Sequence, residues 1–204
     1  MKDIKVYYGL SGALKGSTIA ALKKKNSNIQ IMDSAIKRWK YYQFGIFSGL
    51  TEYTDLTYGI LHLVRLREFM DKNHSAENDL IIERGITDSL FYYYYNDKFN
   101  VETGMDENLT LINNATAQEQ ILLLPDFYRI ERILLIQEDK DFVRDVVFQD
   151  EFRRKTFKND PDFYFKMQDL YVSFTKRHNV IDKVIRITSA KEYIENTLGE
   201  QLKY

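Results

Sequence analysis

The chain has 204 residues, with 29 Lys or Arg against 30 Asp or Glu and a net charge of −1. That balance gives no electrostatic ground for general nucleic-acid affinity and disfavours nucleic acid as a partner, while leaving room for a local basic patch. The lack of cysteine excludes disulfides and thiolate metal sites, and the scattered His62, His74 and His178 have no metal-ligand spacing.

No apolar run approaches the roughly 20 residues of a membrane span, and the N-terminus lacks the apolar region of a signal peptide. A soluble protein of cytoplasmic type, without membrane contact, is expected. With 44% hydrophobic residues the chain can bury the core of one generous α/β domain. Its 15 Tyr and 13 Phe, with only 2 Pro, match the usage of an AT-rich genome such as a phage's.

The first element is the strand IKVYYG (4–9), ending in glycine. A helix follows from Ser17 to Lys25, with Ile19 and Leu22 inward and lysines at its C-terminal end, where the helix dipole favours cations. NIQIMD (28–33) is a second strand that ends in an acid. Ala35 to Met70 is mostly helical, broken at Gly45, Gly49 and Gly59, with Ile60, Leu61, Val64 and Leu66 on one stripe. NDLIIER (78–84) is a buried strand, and Thr87 to Asn96 a helix capped near Thr87 or Asp88.

Residues 97–115 are polar and read as a loop or weak helix, before a helix that stops at Pro125. ERILLIQ (131–137) is the fourth strand, followed by a charged helical stretch. Pro161 suits the first turn of a long helix. KVIRIT (183–188) is the last strand, and Ser189 and Gly199 cap and stop the last helix.

Strands alternate with helices, which predicts a parallel five-stranded sheet covered on both faces. Ligands of such folds bind beyond the carboxyl ends of the strands. Gly9, Asp33, Glu83-Arg84 and Glu138-Asp139 stand at those ends.

The stretch Gly9-Leu-Ser-Gly-Ala-Leu-Lys-Gly-Ser-Thr18 lies between the first strand and its helix. It follows the phosphate-loop pattern G-x-x-x-x-G-K-[ST], with Leu14 at the inner glycine. Consecutive backbone N–H groups and a helix N-terminus cradle anionic oxygens there, and a lysine neutralises them. Gly9, Gly12, Ala13, Leu14, Lys15, Gly16, Ser17 and Thr18 are the candidate ATP-binding residues. Lys15-Gly16-Ser17 resembles the Lys-Gly-Thr ending of adenylate-kinase-type loops, which makes Ser17 the hydroxyl near Mg²⁺, with Thr18 the alternative.

IMDSAIKRWK resembles the strand-two exit of deoxynucleoside kinases, with Ser34 where that family has proline and one residue more before the tryptophan. The resemblance implies Asp33 as the base for a substrate hydroxyl and Trp39 as a pocket wall. A helix-capping Asp33 and a half-buried Trp39 are the plain alternative. LIIERGITDSLFYYY resembles the third-strand D/E-R-x-x-x-S motif of thymidylate and deoxynucleoside kinases through Glu83, Arg84 and Ser89, with one residue more before the serine. In that family the arginine contacts the substrate's 5′ oxygen or phosphate, and the acid sits near Mg²⁺ or the acceptor. A strand-terminating ion pair is the alternative.

Arg144 and the run Arg153-Arg154-Lys155 follow the fourth strand, where kinases of this group carry lid arginines. Developing phosphoryl charge needs such cations, and Arg144 and Arg153 are the candidate positions; a solvated charged helix face is the alternative. The chain thus resembles a divergent member of the P-loop nucleoside and nucleotide kinases. The resemblance implies a three-layer P-loop sandwich over 1–204 as one domain, with an acceptor-binding helical region about 34–75 and a helical lid about 140–160.

It also implies phosphoryl transfer from ATP, with Mg²⁺ held by Ser17 and Asp33 or Glu83, to a small nucleoside or nucleotide, in a protein for which a homodimer is compatible. Aromatics in YYQFGIFSGLTEY (41–53) could stack a base or fill the core. Arg65 or Arg67 facing the acceptor would favour a monophosphate, whereas Asp33 as base favours a free hydroxyl; the balance leans to a monophosphate. A kinase acting on a modified nucleotide within DNA, and a nucleotide-binding regulator without catalysis, are the rival readings.

Overall fold

The computed structural model describes residues 2–34, 54–73, 78–95, 109–123, 128–178 and 181–198. Its strands are β1 (Lys2–Tyr8), β2 (Gln30–Met32), β3 (Leu80–Glu83), β4 (Tyr128–Gln137) and β5 (Lys183–Ile187). They form one five-stranded sheet in the order β2-β3-β1-β4-β5. β2 pairs in parallel with β3, with Ile31 opposite Ile81, and β4 in parallel with β5, with Leu135 opposite Ile185.

The described helices are α1 (Lys15–Lys25), α2 (Thr54–Asn73), α3 (Ile86–Tyr95), α4 (Leu109–Leu123), α5 (Lys140–Asp145), α6 (Glu151–Thr156), α7 (Pro161–Arg177) and α8 (Ala190–Leu198). A 3₁₀ turn, Val147–Gln149, stands between α5 and α6. This is the α/β architecture that the alternation of strands and helices predicts. Among the described residues no helix is long and apolar enough to cross a membrane.

β3 and the second half of β4 are apolar runs because a parallel sheet is covered on both faces. All four residues of β3 are buried, as are Ile133 to Gln137 of β4. The outer strand β5 is mostly exposed until Ile187.

The chain divides into two compact units, Met1–Val6 with Gln30–Ile130 and Tyr7–Ile29 with Glu131–Tyr204. In the first, the buried residues of α2 from Gly59 onward are Gly59, His62, Leu66 and Met70, at helical spacing. The expected stripe of Ile60 and Val64 is corrected by this: they are 58% and 51% exposed. The physical reason is a buried polar contact. His62 Nε2 lies 2.7 Å from Glu119 Oε1 of α4, and the same oxygen accepts the Ile86 N–H at 2.7 Å, where α3 begins. That pairing allows a polar side chain to occupy the inner face and turns the neighbouring apolar residues outward. Gly59 is buried inside α2 and does not break it, and α4 begins at Leu109, inside the stretch expected to be loop or weak helix. Gly45 and Gly49 lie outside the described residues.

In the second unit, acids stand at the starts of α5, α6 and α7. Asp139 accepts the Phe142 N–H of α5 and the Ala190 N–H of α8, both at 2.9 Å, so one carboxylate serves two helices. Asp150 caps α6, and Asp160 caps α7 ahead of Pro161. The Gln168 side chain pairs with both backbone groups of Gln137, at 2.8 Å each, and docks α7 on the end of β4. Phe157 and Tyr164 meet edge to face at 4.8 Å in the core beside α7. Part of the aromatic wealth of the chain is therefore packing.

Candidate active site

The junction of β1 and α1 is a loop of backbone extremes. Gly9 has φ +142° and Gly12 φ +97°. A Cβ on Gly9 would stand 2.6 Å from the Leu135 carbonyl oxygen, and one on Gly12 would stand 2.7 Å from Val147 Cγ1. Both positions therefore require glycine for space as well as for conformation.

Leu14 takes φ 60° and ψ 13°, the left-handed region, as the N-terminal cap of α1. For a residue with a Cβ this costs roughly 1–2 kcal/mol. The leucine thus adopts the conformation that a glycine would supply, and the strand–turn–helix path is retained.

Lys15 is only 4% exposed, and its Nζ donates to the carbonyls of Gly9 and, at 2.8 Å, Leu10. Its charge is thereby fixed inside the loop. The N–H groups of the first turn of α1 have no acceptor within the helix and make its N-terminus a ready anion site. Gly16 and Ser17 are exposed there, whereas Thr18 is buried. The Thr18 hydroxyl donates to the Leu14 carbonyl at 2.9 Å and lies 3.1 Å from the Tyr193 hydroxyl. Of the two hydroxyls considered for Mg²⁺, Ser17 is the exposed one.

The expected lid residues belong to this same unit. Arg144 is exposed and pairs with Asp141 at 3.0 Å and Asp145 at 2.7 Å. Its hydrogen bond to Asp145 holds the guanidinium above its ordinary pKa and the carboxyl below its own. Arg153 is half-buried in α6. Arg154, Lys155 and Lys158 line a groove of about 340 Å³ with Glu151 and Asn159.

The remaining candidates belong to the other unit. Asp33, directly after β2, is exposed and lines a cleft of about 130 Å³ with Ile31, Met32, Arg65, Glu68, Phe69 and Lys72. Arg67 is exposed and pairs with Asp71 at 2.8 Å along the helix. Glu83 is buried at the end of β3. Arg84 follows it with φ 72°, again left-handed, and donates to Asp88 Oδ1 at 3.0 Å, with the two side chains 14% and 2% exposed. The Glu119 carboxylate, through the Ile86 N–H, anchors the turn that carries this strained arginine. Trp39 and the aromatic stretch 41–53 lie outside the described residues.

Sequence reasoning did not single out Glu68, Phe69, Lys72, Glu119 or Tyr193. Lys72 stands one heptad from Arg65 on α2, a spacing that places both on one helix face and that could have drawn attention to it. The others carry no local signal.

The loop carries a lysine and a hydroxyl, and the cleft of the other unit carries a carboxylate and cationic side chains. Among the described residues no group of three or more His, Asp or Glu could hold a metal ion by itself. Mg²⁺ commonly takes one or two protein oxygens beside phosphates and water, and the exposed Ser17 hydroxyl is a donor of that kind.

In sequence the chain matches no protein-family model and no curated protein. In structure it resembles the deoxyadenosine kinase of M. mycoides with bound dATP, at TM-score 0.61 and 16% identity over 96% of this chain and 95% of that one. The same kinase with bound dCTP gives TM-score 0.59 at 15% identity, over 96% of this chain and 97% of that one. Thymidylate kinase from Ehrlichia chaffeensis gives TM-score 0.53 at 13% identity, over 96% and 94% of the two chains. The fold of this chain is that of the nucleoside and nucleotide kinases.

Proposed function

We propose that the protein is a cytoplasmic kinase that transfers a phosphoryl group from ATP to a small nucleoside or nucleotide, with a nucleoside or deoxynucleoside monophosphate as the favoured acceptor. The observation that carries the donor half is the loop. Gly9, Gly12 and Leu14 hold positive φ between a strand and a helix, with Lys15 turned inside. The left-handed Leu14 supports a live loop over a degenerate one.

Mg²⁺ and ATP, when bound, supply the phosphoryl group and neutralise part of its charge. Lys15 and the first-turn N–H groups of α1 hold the β and γ oxygens of the triphosphate. Ser17 and either Asp33 or Glu83 hold the metal. Arg84 and one lid arginine, Arg144 or Arg153, stabilise charge on the transferring group. Donor-binding residues lie in one unit and acceptor-binding residues in the other.

The acceptor half rests on Arg65, which lines the cleft with Asp33 while Arg67 faces solvent with Asp71. A guanidinium there suits an acceptor phosphate. With a monophosphate the attacking atom is an anionic oxygen, so Asp33 orients the acceptor. With a free nucleoside, Asp33 would take the proton of the 5′ hydroxyl. Trp39 is retained as a proposed pocket wall. A homodimer is also proposed, on the exposed Ile60 and Val64 of α2 and Ile121 of α4; a monomer mass in light scattering would remove that part.

The test is product identification by chromatography after incubation with MgATP and a panel of nucleosides, monophosphates and short oligonucleotides. A diphosphate formed from a monophosphate supports the proposal. Product only from nucleosides would reassign the acceptor, and product only from oligonucleotides would favour the DNA-borne reading.

A further inference from the structure

Leu14 stands in a left-handed conformation that leucine disfavours, and its own side chain does not cap the helix it begins. Something else must hold it. Its carbonyl accepts two hydrogen bonds from one residue, the Thr18 N–H and the Thr18 hydroxyl, both at 2.9 Å. The Thr18 hydroxyl has one proton, and a carbonyl can only accept, so that proton goes to Leu14. The Tyr193 hydroxyl, 3.1 Å away, must then be the donor to Thr18.

The result is a directional relay: Tyr193 O–H to Thr18 O–H to Leu14 C=O. Each donor polarises the next, and Thr18 is buried, so the relay is shielded from water. Tyr193 belongs to α8, far along the chain, and α8 is fastened to α1 a second time where Lys25 Nζ donates to the Thr197 carbonyl. Burial raises the Tyr193 phenol above its ordinary value, against the opposing hydrogen bonds to Thr18 and to the Thr197 side chain.

We propose that Tyr193 is a positioning residue of the phosphate loop: through Thr18 it clamps the Leu14 carbonyl and holds a leucine in the conformation for which the loop pattern otherwise calls on glycine. The inference rests on the reading of Gly9–Ser17 as the ATP phosphate loop. It further assigns the last helix a function in nucleotide binding, beyond covering the sheet.

The test is a double-mutant cycle of Tyr193→Phe and Leu14→Gly, read by the dissociation constant for MgATP and by melting temperature. Phenylalanine keeps the ring and removes only the donor. Tyr193→Phe is expected to weaken MgATP binding about five- to tenfold, as loss of one hydrogen bond does. In the Leu14→Gly background the same change is expected to weaken binding less than twofold, because glycine needs no clamp. Thr18→Val, which breaks both links, should behave like Tyr193→Phe and add little to it.

Equal weakening in both backgrounds would overturn the clamp and leave Tyr193 as ordinary packing. So would unchanged binding in Tyr193→Phe alone. Should the unmodified protein bind no MgATP, the phosphate-loop reading fails, and the melting temperatures still decide the clamp. A smaller loss from Tyr193→Phe in the Leu14→Gly background than in the unmodified chain upholds it, and equal losses refute it.

Discussion

Replacing Gly12 by alanine puts a methyl group where the structure has no room. The new Cβ would stand 2.7 Å from Val147 Cγ1 and 2.9 Å from Cγ2, and Val147 is fully buried. Two costs add. Holding a Cβ-bearing residue at φ +97° costs roughly 1–3 kcal/mol. Overpacking a buried contact costs roughly 1–3 kcal/mol more. A total of about 3 kcal/mol corresponds to a fall in melting temperature of roughly 6–12 °C for a chain of this size.

The two costs can be separated. Val147→Ala deletes both offending methyls and leaves a Cβ at 3.4 Å, a contact that needs little adjustment. In the Gly12→Ala background it should therefore recover the overpacking part, while the backbone part remains. Urea unfolding of the four proteins in the cycle should show a favourable coupling of about 1–3 kcal/mol. MgATP affinity should fall in Gly12→Ala and partly return in the double variant, because Val147 lies in the segment between α5 and α6 that the loop packs against. Effects that add within about 0.5 kcal/mol would refute the contact and the loop geometry drawn from it.

Two arginines two positions apart on α2 should differ sharply. Arg65→Ala is expected to lower kcat/KM for a monophosphate acceptor by about 10- to 100-fold, the worth of a charge-assisted contact of roughly 1.5–3 kcal/mol, and to leave MgATP affinity unchanged. Arg67→Ala removes an exposed pair along the helix, worth about 0.3–0.5 kcal/mol, and should be nearly silent in steady-state kinetics. Alkaline pH should destabilise the fold. Burial raises the Tyr7 phenol above 10.0, with Tyr193 and Glu131 adding to it, and burial raises Tyr193 as well. Both stay protonated in the folded chain while the unfolded chain ionises near pH 10, so unfolding releases protons above that pH. Their contribution is fully present below about pH 10 and is lost above it at up to about 1.4 kcal/mol per pH unit for each tyrosine. Urea midpoints from pH 8 to 11 should show a shallower decline in Tyr193→Phe than in the unmodified protein.

The strands were legible because a parallel sheet buries both faces and writes its strands as apolar runs, of which LIIE and ILLI are clear cases. Caps were legible where the residue type carries its own reason, as Pro161 and Ser189 do. The face of α2 was not. Hydrophobicity puts Ile60 and Val64 inside, but the partner that buries His62 is Glu119, on another helix and distant in sequence. Arg65 and Arg67 could not be told apart for the same reason: residues two apart point to well-separated sides of a helix, and only packing decides which side meets the cleft. In the loop, the lysine and glycines announced themselves, whereas the left-handed turn at Leu14 and the contact of Thr18 with Tyr193, 175 residues away, carry no local signal.

The most direct measurement is the rate of ADP release from MgATP, with the acceptor panel present, for the unmodified protein beside Lys15→Ala. The account predicts acceptor-dependent ADP release that falls by at least about 100-fold in the variant, as loss of a preorganised charge on the transferring group does. Acceptor-dependent release at an unchanged rate in Lys15→Ala would contradict it, and so would the absence of release with every acceptor.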